Sequence, residues 1–336
     1  MPFRDVIGHN RLIDLLARSV AGSSLPPSLI LAGPSGIGKR LAALSVAQAL
    51  NCLNPDIHGS NIDACGVCAA CSRIARGVHP DVMLVEPGDN GSIKIDQVRE
   101  VIDRAQYRPF EGRRRAVIID QADALVAAAQ NSLLKTLEEP PPSSVFLLVT
   151  SRPDALLPTV RSRCPQLRFR PLTAEDIARA LVARGYSETE ARAVAATADG
   201  SLGRALEASA GELVDARDVA QRVLAAVSSA RDAGRRLESA KELLTKTGAS
   251  GATDRDHLSI HLRAMSSLLR DVEVLVTGAD ARVLANPDVQ PELERLAGVY
   301  QGERGRQAFT AVDEALAALQ RNAGVKLVAD WLVLQL

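Results

Sequence analysis

Aromatic residues make up only 3% of the 336 residues: five Phe, three Tyr and one Trp. That scarcity argues against rows of stacked rings, the device that grips single-stranded nucleic acid without sequence preference. Excess charge is absent too, since Lys+Arg and Asp+Glu both number 40 and the formal net charge is zero. A wholly basic nucleic-acid coat and an acidic tail are excluded, and any phosphate contact must come from a local patch. No run of 18 apolar residues occurs, and the opening Met1-Pro2-Phe3-Arg4-Asp5 lacks the basic-then-apolar order of a signal peptide. Neither export nor a membrane span is therefore expected. Cysteine is sparse and uneven: five in all, four of them between Cys52 and Cys71. In so long a chain this is no disulfide framework, and a reducing, cytoplasmic compartment with a bound metal is expected instead.

Proline is missing from one long stretch. Fifteen of the 17 prolines lie between Pro2 and Pro171, and none falls within 172–286. That stretch is rich in Ala, Leu, Arg and Glu, which are good helix formers. The first half instead carries short apolar runs between Gly and Pro punctuation: Ser28–Ala32, Val82–Glu86, Ala116–Asp120, Val145–Thr150 and Leu167–Arg170. Such runs alternating with helix-like segments indicate a parallel sheet covered on both faces. The expectation is an α/β domain of five strands over 1–170, a small helical domain over 171–210 and an all-α domain over 211–336. Thr173-Ala-Glu-Asp176 reads as the start of the first of these helices. Leu262, Met265, Leu268, Leu269 and Val272 repeat at helical spacing and mark a buried face without chemistry.

Gly33-Pro-Ser-Gly36-Ile-Gly38-Lys39-Arg40 follows the first predicted strand and opens a helix. In that context glycines let backbone N–H groups turn inward around phosphate oxygens, and Lys39 reaches the outer phosphates. The next position should be Ser or Thr, whose hydroxyl ligates magnesium. Arg40 stands there, with no lone pair for a metal and a positive charge where the cation would sit. Asp120 ends an apolar run as a magnesium-orienting aspartate does, but Gln121 follows it, and an uncharged amide is no general base. These two defects favour a silent nucleotide site; ATP or ADP binding without hydrolysis stays open.

Cys52, Cys65, Cys68 and Cys71 form C-x12-C-x2-C-x2-C. Two consecutive C-x2-C units put thiolates within reach of one ion, and Cys52 closes a tetrahedral four-sulfur shell. Four soft thiolates favour zinc, with an iron–sulfur cluster as the chemical alternative. A closed site of this kind is structural, so 52–71 is expected to be a zinc-stabilised insert. His58 and His79 flank the cluster but are superfluous to it.

Asn131-Ser-Leu-Leu-Lys-Thr-Leu-Glu-Glu-Pro140-Pro-Pro, Arg161-Ser162-Arg163-Cys164 and the opening Phe3-Arg-Asp-Val-Ile-Gly8 together closely resemble bacterial clamp-loader subunits of the AAA+ class. The resemblance covers about 1–206 by motif and the remainder by architecture. It implies an AAA+ α/β domain with a parallel five-stranded sheet and a zinc-binding insert, then a small helical lid, then a C-terminal all-α collar. It also implies a heteropentamer containing the gamma or tau motor subunits and a delta subunit, which opens a sliding clamp and loads it onto primer–template DNA. The family's Ser-Arg-Cys arginine, Arg163 here with Arg161 as neighbouring candidate, would reach the ATP of the next subunit. Thr150 matches the polar residue that senses the outer phosphate. The family's lid motif, Gly-Ser-Leu-Arg, reads Gly200-Ser201-Leu202-Gly203-Arg204 here. One residue of displacement turns that arginine about 100° around a helix. Gamma and tau retain an intact phosphate loop and glutamate, so the resemblance favours a member that does not hydrolyse ATP over a motor ATPase. A third reading, with the insert and Arg113-Arg114-Arg115 as a nucleic-acid module, is weaker, because such a run before a buried strand is expected to be a solvated turn.

Overall fold

In a computed structural model the described residues are 1–88, 90–207, 210–230, 232–245, 254–279, 284–321 and 323–336. They divide into two compact units, Met1–Leu172 and Thr173–Leu336. Residues 208 and 209, beside the expected junction at 210, lie outside the described residues.

The first unit is built on strands β1 (Ser28–Ala32), β4 (Val82–Val85), β5 (Arg115–Ile119), β6 (Ser144–Thr150) and β7 (Gln166–Arg168). They form a five-stranded sheet in the order β4-β5-β6-β1-β7, every pairing parallel. The predicted apolar runs coincide with these strands to within two residues, because a strand covered on both faces must be apolar throughout. Ser28 pairs with Phe146, and Arg115 with Ser144. Successive side chains point to opposite faces. Leu29, Leu31, Ile118 and Leu147 therefore pack with helices α1 (Asn10–Ala21) and α2 (Lys39–Asn51). Ile30, Val117, Ile119 and Leu148 join the opposite layer with α4 (Ile95–Ala105) and α5 (Ala127–Glu138). This is the five-stranded parallel α/β domain expected from the sequence.

Between α2 and β4 the chain leaves the sheet. It makes an antiparallel hairpin, β2 (Asp56–His58) with β3 (Asn61–Asp63), and a short helix, α3 (Ala69–Ala75). The short helix α6 (Pro158–Arg161) precedes β7.

The second unit is helical: α7 (Ala174–Val182), α8 (Glu188–Thr197), α9 (Leu202–Glu207), α10 (Ala210–Ser229), α11 (Ala233–Leu243), α12 (Asp254–Val276), α13 (Gln290–Ala297), α14 (Glu303–Gln320) and α15 (Val325–Gln335). The Thr173 hydroxyl accepts from the Asp176 amide at 3.1 Å and caps α7 as the sequence suggests. Leu262, Met265, Leu268, Leu269 and Val272 are buried in the core that joins α10 to α15. Tyr300 is fully buried in that core, and its hydroxyl donates to the Leu224 carbonyl at 3.1 Å. No helix among the described residues is long and apolar enough to cross a membrane.

Candidate functional site

In a parallel sheet the loops after the strands share one edge. The phosphate-type loop leaves β1 there and turns directly into α2. Gly33 has no alternative residue: a Cβ would stand 2.3 Å from the Phe169 carbonyl oxygen. Gly38, at φ +100°, takes a backbone conformation that side chains disfavour. Lys39 is buried, and its ammonium donates to the carbonyls of Gly33, at 2.6 Å, and Pro34.

Arg40 departs most from a hydrolytic site. Its guanidinium pairs with Asp120 at 3.1 Å and, on the same nitrogen, with Glu86 at the end of β4. Asp120 also accepts from the Gln121 amide at 3.0 Å. The carboxylate at the end of β5 thus already faces a fixed cation supplied by the protein. Gln121 itself sits in the left-handed region at φ +50°. Thr150 ends β6 on the same edge, and its hydroxyl donates to Asp123 at 2.8 Å. Burial pushes the Asp123 carboxyl up, but the Thr150 hydroxyl, the Arg152 guanidinium and the Ser151 amide outweigh it and hold the group below the usual carboxylate range. Gly33, Gly36, Gly38, Lys39, Arg40, Asp120, Gln121 and Thr150 therefore gather at the carboxyl ends of β1, β5 and β6. Glu86 and Asp123 belong to that group and went unassigned in the sequence. Each lay at or just past a predicted strand end, which was the signal available.

Arg163 lies elsewhere. It precedes β7, at the amino ends of the strands, while β1 alone spans about 16 Å between the two edges. Its own phosphate loop is out of reach. Arg163 Nε donates to Glu138 at 2.7 Å and Nη1 to the Thr159 carbonyl at 2.8 Å. Glu138 closes α5 and is part of the Asn131–Pro142 motif, so two separate signatures meet in one ion pair. Arg161 pairs instead with Asp154, at 2.6 Å.

The four clustered cysteines meet as their spacing requires. The Sγ atoms of Cys52, Cys65, Cys68 and Cys71 all lie within 4.8 Å of one another. Cys52 is 3.5 Å from Cys65 and 4.0 Å from Cys68. Tetrahedral zinc with sulfur ligands at about 2.3 Å sets sulfurs about 3.8 Å apart. The Cys65 amide donates to the Cys52 sulfur and the Cys68 amide to the Cys65 sulfur, both at 3.3 Å. Burial opposes ionisation of Cys68, yet the amides of Cys71 and Leu53 hold its thiol down to about 6. These four residues are arranged to hold a metal ion. His79 is not among them: its Nδ1 accepts from the Asp81 amide at 3.1 Å, and burial lowers its pKa.

The three-arginine run is not a solvated turn, which corrects the expectation. Arg113 is exposed, but Arg115 is buried and pairs with the fully buried Asp81 at 3.0 Å. Asp81 also accepts from the amides of Phe110, Glu111 and Gly112, at 2.7, 2.9 and 2.8 Å. Arg114 donates to the Pro142 and Ser144 carbonyls at 3.3 Å. Both residues fasten the loop before β5.

Residues 8–173 match the family described as "DNA polymerase III, delta subunit". Among curated relatives, the DNA polymerase III subunit delta' of Pseudomonas aeruginosa is 42% identical over 138 residues, 41% of this chain and 41% of that protein. The DNA polymerase III subunit tau/gamma of Haemophilus influenzae is 35% identical over 179 residues, 53% of this chain and 25% of that protein. The match thus spans between a quarter and two-fifths of the length of these relatives. Among solved structures, a DNA polymerase III gamma subunit-related protein of Thermotoga maritima aligns over 94% of this chain and 96% of its own, with 20% identity and a TM-score of 0.48.

Proposed function

From the match of residues 8–173 to the family described as "DNA polymerase III, delta subunit", we propose that this chain is a clamp-loader subunit of the delta-prime kind. Its own nucleotide site is silent, and it serves a neighbour. The observation that carries this reading is Arg40, whose guanidinium spans Glu86 and Asp120. A hydrolytic site needs Asp120 to orient magnesium, and Arg40 provides positive charge there without coordination positions for phosphate or water. Gln121 compounds the loss, since it cannot take the proton of an attacking water.

Arg163 supports the second half of the reading. From the amino-end edge of the sheet it acts outward, as the arginine finger for a nucleotide held by a neighbouring gamma or tau motor subunit, stabilising charge on the transferred phosphoryl group. Glu138 holds the guanidinium in place until that nucleotide competes for it. The partners are the motor subunits and a delta subunit in a heteropentamer working in the cytoplasm, with the sliding clamp and primer–template DNA engaged through the complex. Residues 171–210 serve as the lid and 211–336 as the collar. The cysteine cluster holds a structural zinc ion: four thiolates complete its tetrahedron and leave no open position for catalysis.

The test is ATP turnover by the purified chain with clamp and primed DNA, beside Lys39→Ala. Turnover no greater than that of Lys39→Ala is expected. Turnover abolished by Lys39→Ala would make the chain a motor ATPase of the gamma/tau kind and overturn the reading. In the assembled loader, Arg163→Ala should slow hydrolysis at the single site it serves by on the order of 10³-fold and leave assembly intact.

A further inference from the structure

The cysteine cluster holds more than its own four ligands. Arg4 Nη2 donates to the Cys65 carbonyl at 2.9 Å, and Arg4 Nη1 pairs with Asp63 at 3.1 Å and Asp56 at 3.3 Å. Asp63 also accepts from the Phe3 amide at 2.7 Å and from the amide of Ala64, next to Cys65, at 2.8 Å. On the other side, the Ser45 hydroxyl of α2 lies 2.9 Å from the Met1 carbonyl and 3.3 Å from that of Pro2. The first six residues are thereby strapped between the hairpin and α2.

The strap runs on to the phosphate-type loop. A Cβ on Gly38 would stand 3.8 Å from the Val6 methyl, so Val6 borders the loop. His9 Nε2 lies 3.1 Å from the Ile37 carbonyl oxygen, and the His9 ring meets Phe169 edge-on with centroids 4.8 Å apart. The cluster grips the loop's helix from its far end too. Cys52 follows the last residue of α2, and Gln48 Nε2 donates to the Cys71 carbonyl at 2.9 Å.

We infer that the cysteine cluster anchors an N-terminal strap that positions the phosphate loop, with Arg4 as the positioning residue that carries the state of the metal site to Gly33–Lys39. The trigger rests on the metal reading above; the strap's geometry does not. A hairpin with three-residue strands has too little buried surface to hold its shape alone. Its order therefore depends on the metal that fixes Cys65 and Cys68. Arg4 and Phe3 depend in turn on Asp63 and the Cys65 carbonyl, and Val6 and His9 follow them along the chain.

Amide hydrogen exchange on the full chain tests this, with bound zinc measured in parallel. In Arg4→Ala with its zinc retained, amides of 10–21 and 39–46 should exchange about tenfold faster than in the parent, while 254–276 stay unchanged. Arg4→Lys, which keeps the charge facing Asp63, should restore much of the protection. Asp63→Asn provides a second variant should Arg4→Ala not fold. Stripping the zinc should speed exchange in 52–71 and, with it, in 10–21 and 39–46. Parent-like protection of 10–21 and 39–46 under these treatments would overturn the inference. A parent chain purified without metal would defeat the metal reading alone, since Arg4→Ala still decides the strap.

Discussion

A guanidinium one position beyond the phosphate-loop lysine changes what the carboxylate at the end of β5 can do. With Ser or Thr at that place, Asp120 would face a metal; with Arg40 it faces a fixed cation bonded to two carboxylates. A second arginine works by the same rule in the interior. Arg115 satisfies fully buried Asp81 and also donates to the carbonyls of Tyr107, at 2.9 Å, and Arg108, at 3.2 Å. Removing one partner of a buried pair leaves the other charge stranded, at about 3–5 kcal/mol. Arg115→Ala should therefore lower the stability of the first unit by roughly that amount, read from denaturant midpoints at constant m-value. A loss below 1 kcal/mol, on the order of an exposed pair, would mean that Asp81 is satisfied by its three amide donors alone.

At the scale of elements, α2 joins the two candidate sites, with the phosphate-type loop at its first residue and Cys52 just past its last. The β-strands and α2 were legible in the sequence because each is a continuous local pattern with clear punctuation. The hairpin β2–β3 was not, since its strands are three residues long and lack the buried alternation that marks a strand. Its order comes from Arg4 and from the cysteines, which flank it in sequence but converge only in three dimensions. Metal removal should therefore act on the first unit as a whole. Chelation under reducing conditions should lower its melting temperature by several degrees, roughly 2–4 °C for each kcal/mol lost in a unit of this size. A melting curve indifferent to chelator would count against a structural metal.

At the scale of the molecule the two units carry different chemical liabilities. The cysteines are in the first. The second holds His261, fully buried on α12, whose Nδ1 lies 2.8 Å from the Leu243 carbonyl oxygen and whose Nε2 meets no hydrogen-bond partner among the described residues. Burial holds its pKa below the ordinary histidine value of about 6.5. The unfolded chain thus binds the proton more readily than the folded one, so stability is full above about 6.5 and falls as pH drops through and below that value. The second unit should lose stability between pH 7 and 5, and His261→Leu should flatten that slope without altering the response of the first unit to chelator. An unchanged slope in the variant would move the liability to another group.

The strands of the α/β sheet, the phosphate-type loop, the four-cysteine spacing and the helices of the second unit were all legible from residues close together in the chain. The tertiary structure decided which charges meet. Arg40 finds Glu86 and Asp120 across separations of 46 and 80 residues, Arg163 finds Glu138 across 25, and Arg115 finds Asp81 across 34. Strand order brings these partners together, and no local periodicity encodes strand order. The same holds for Arg4, 59 residues from Asp63: only the folded hairpin makes it a link between a metal site and a phosphate loop.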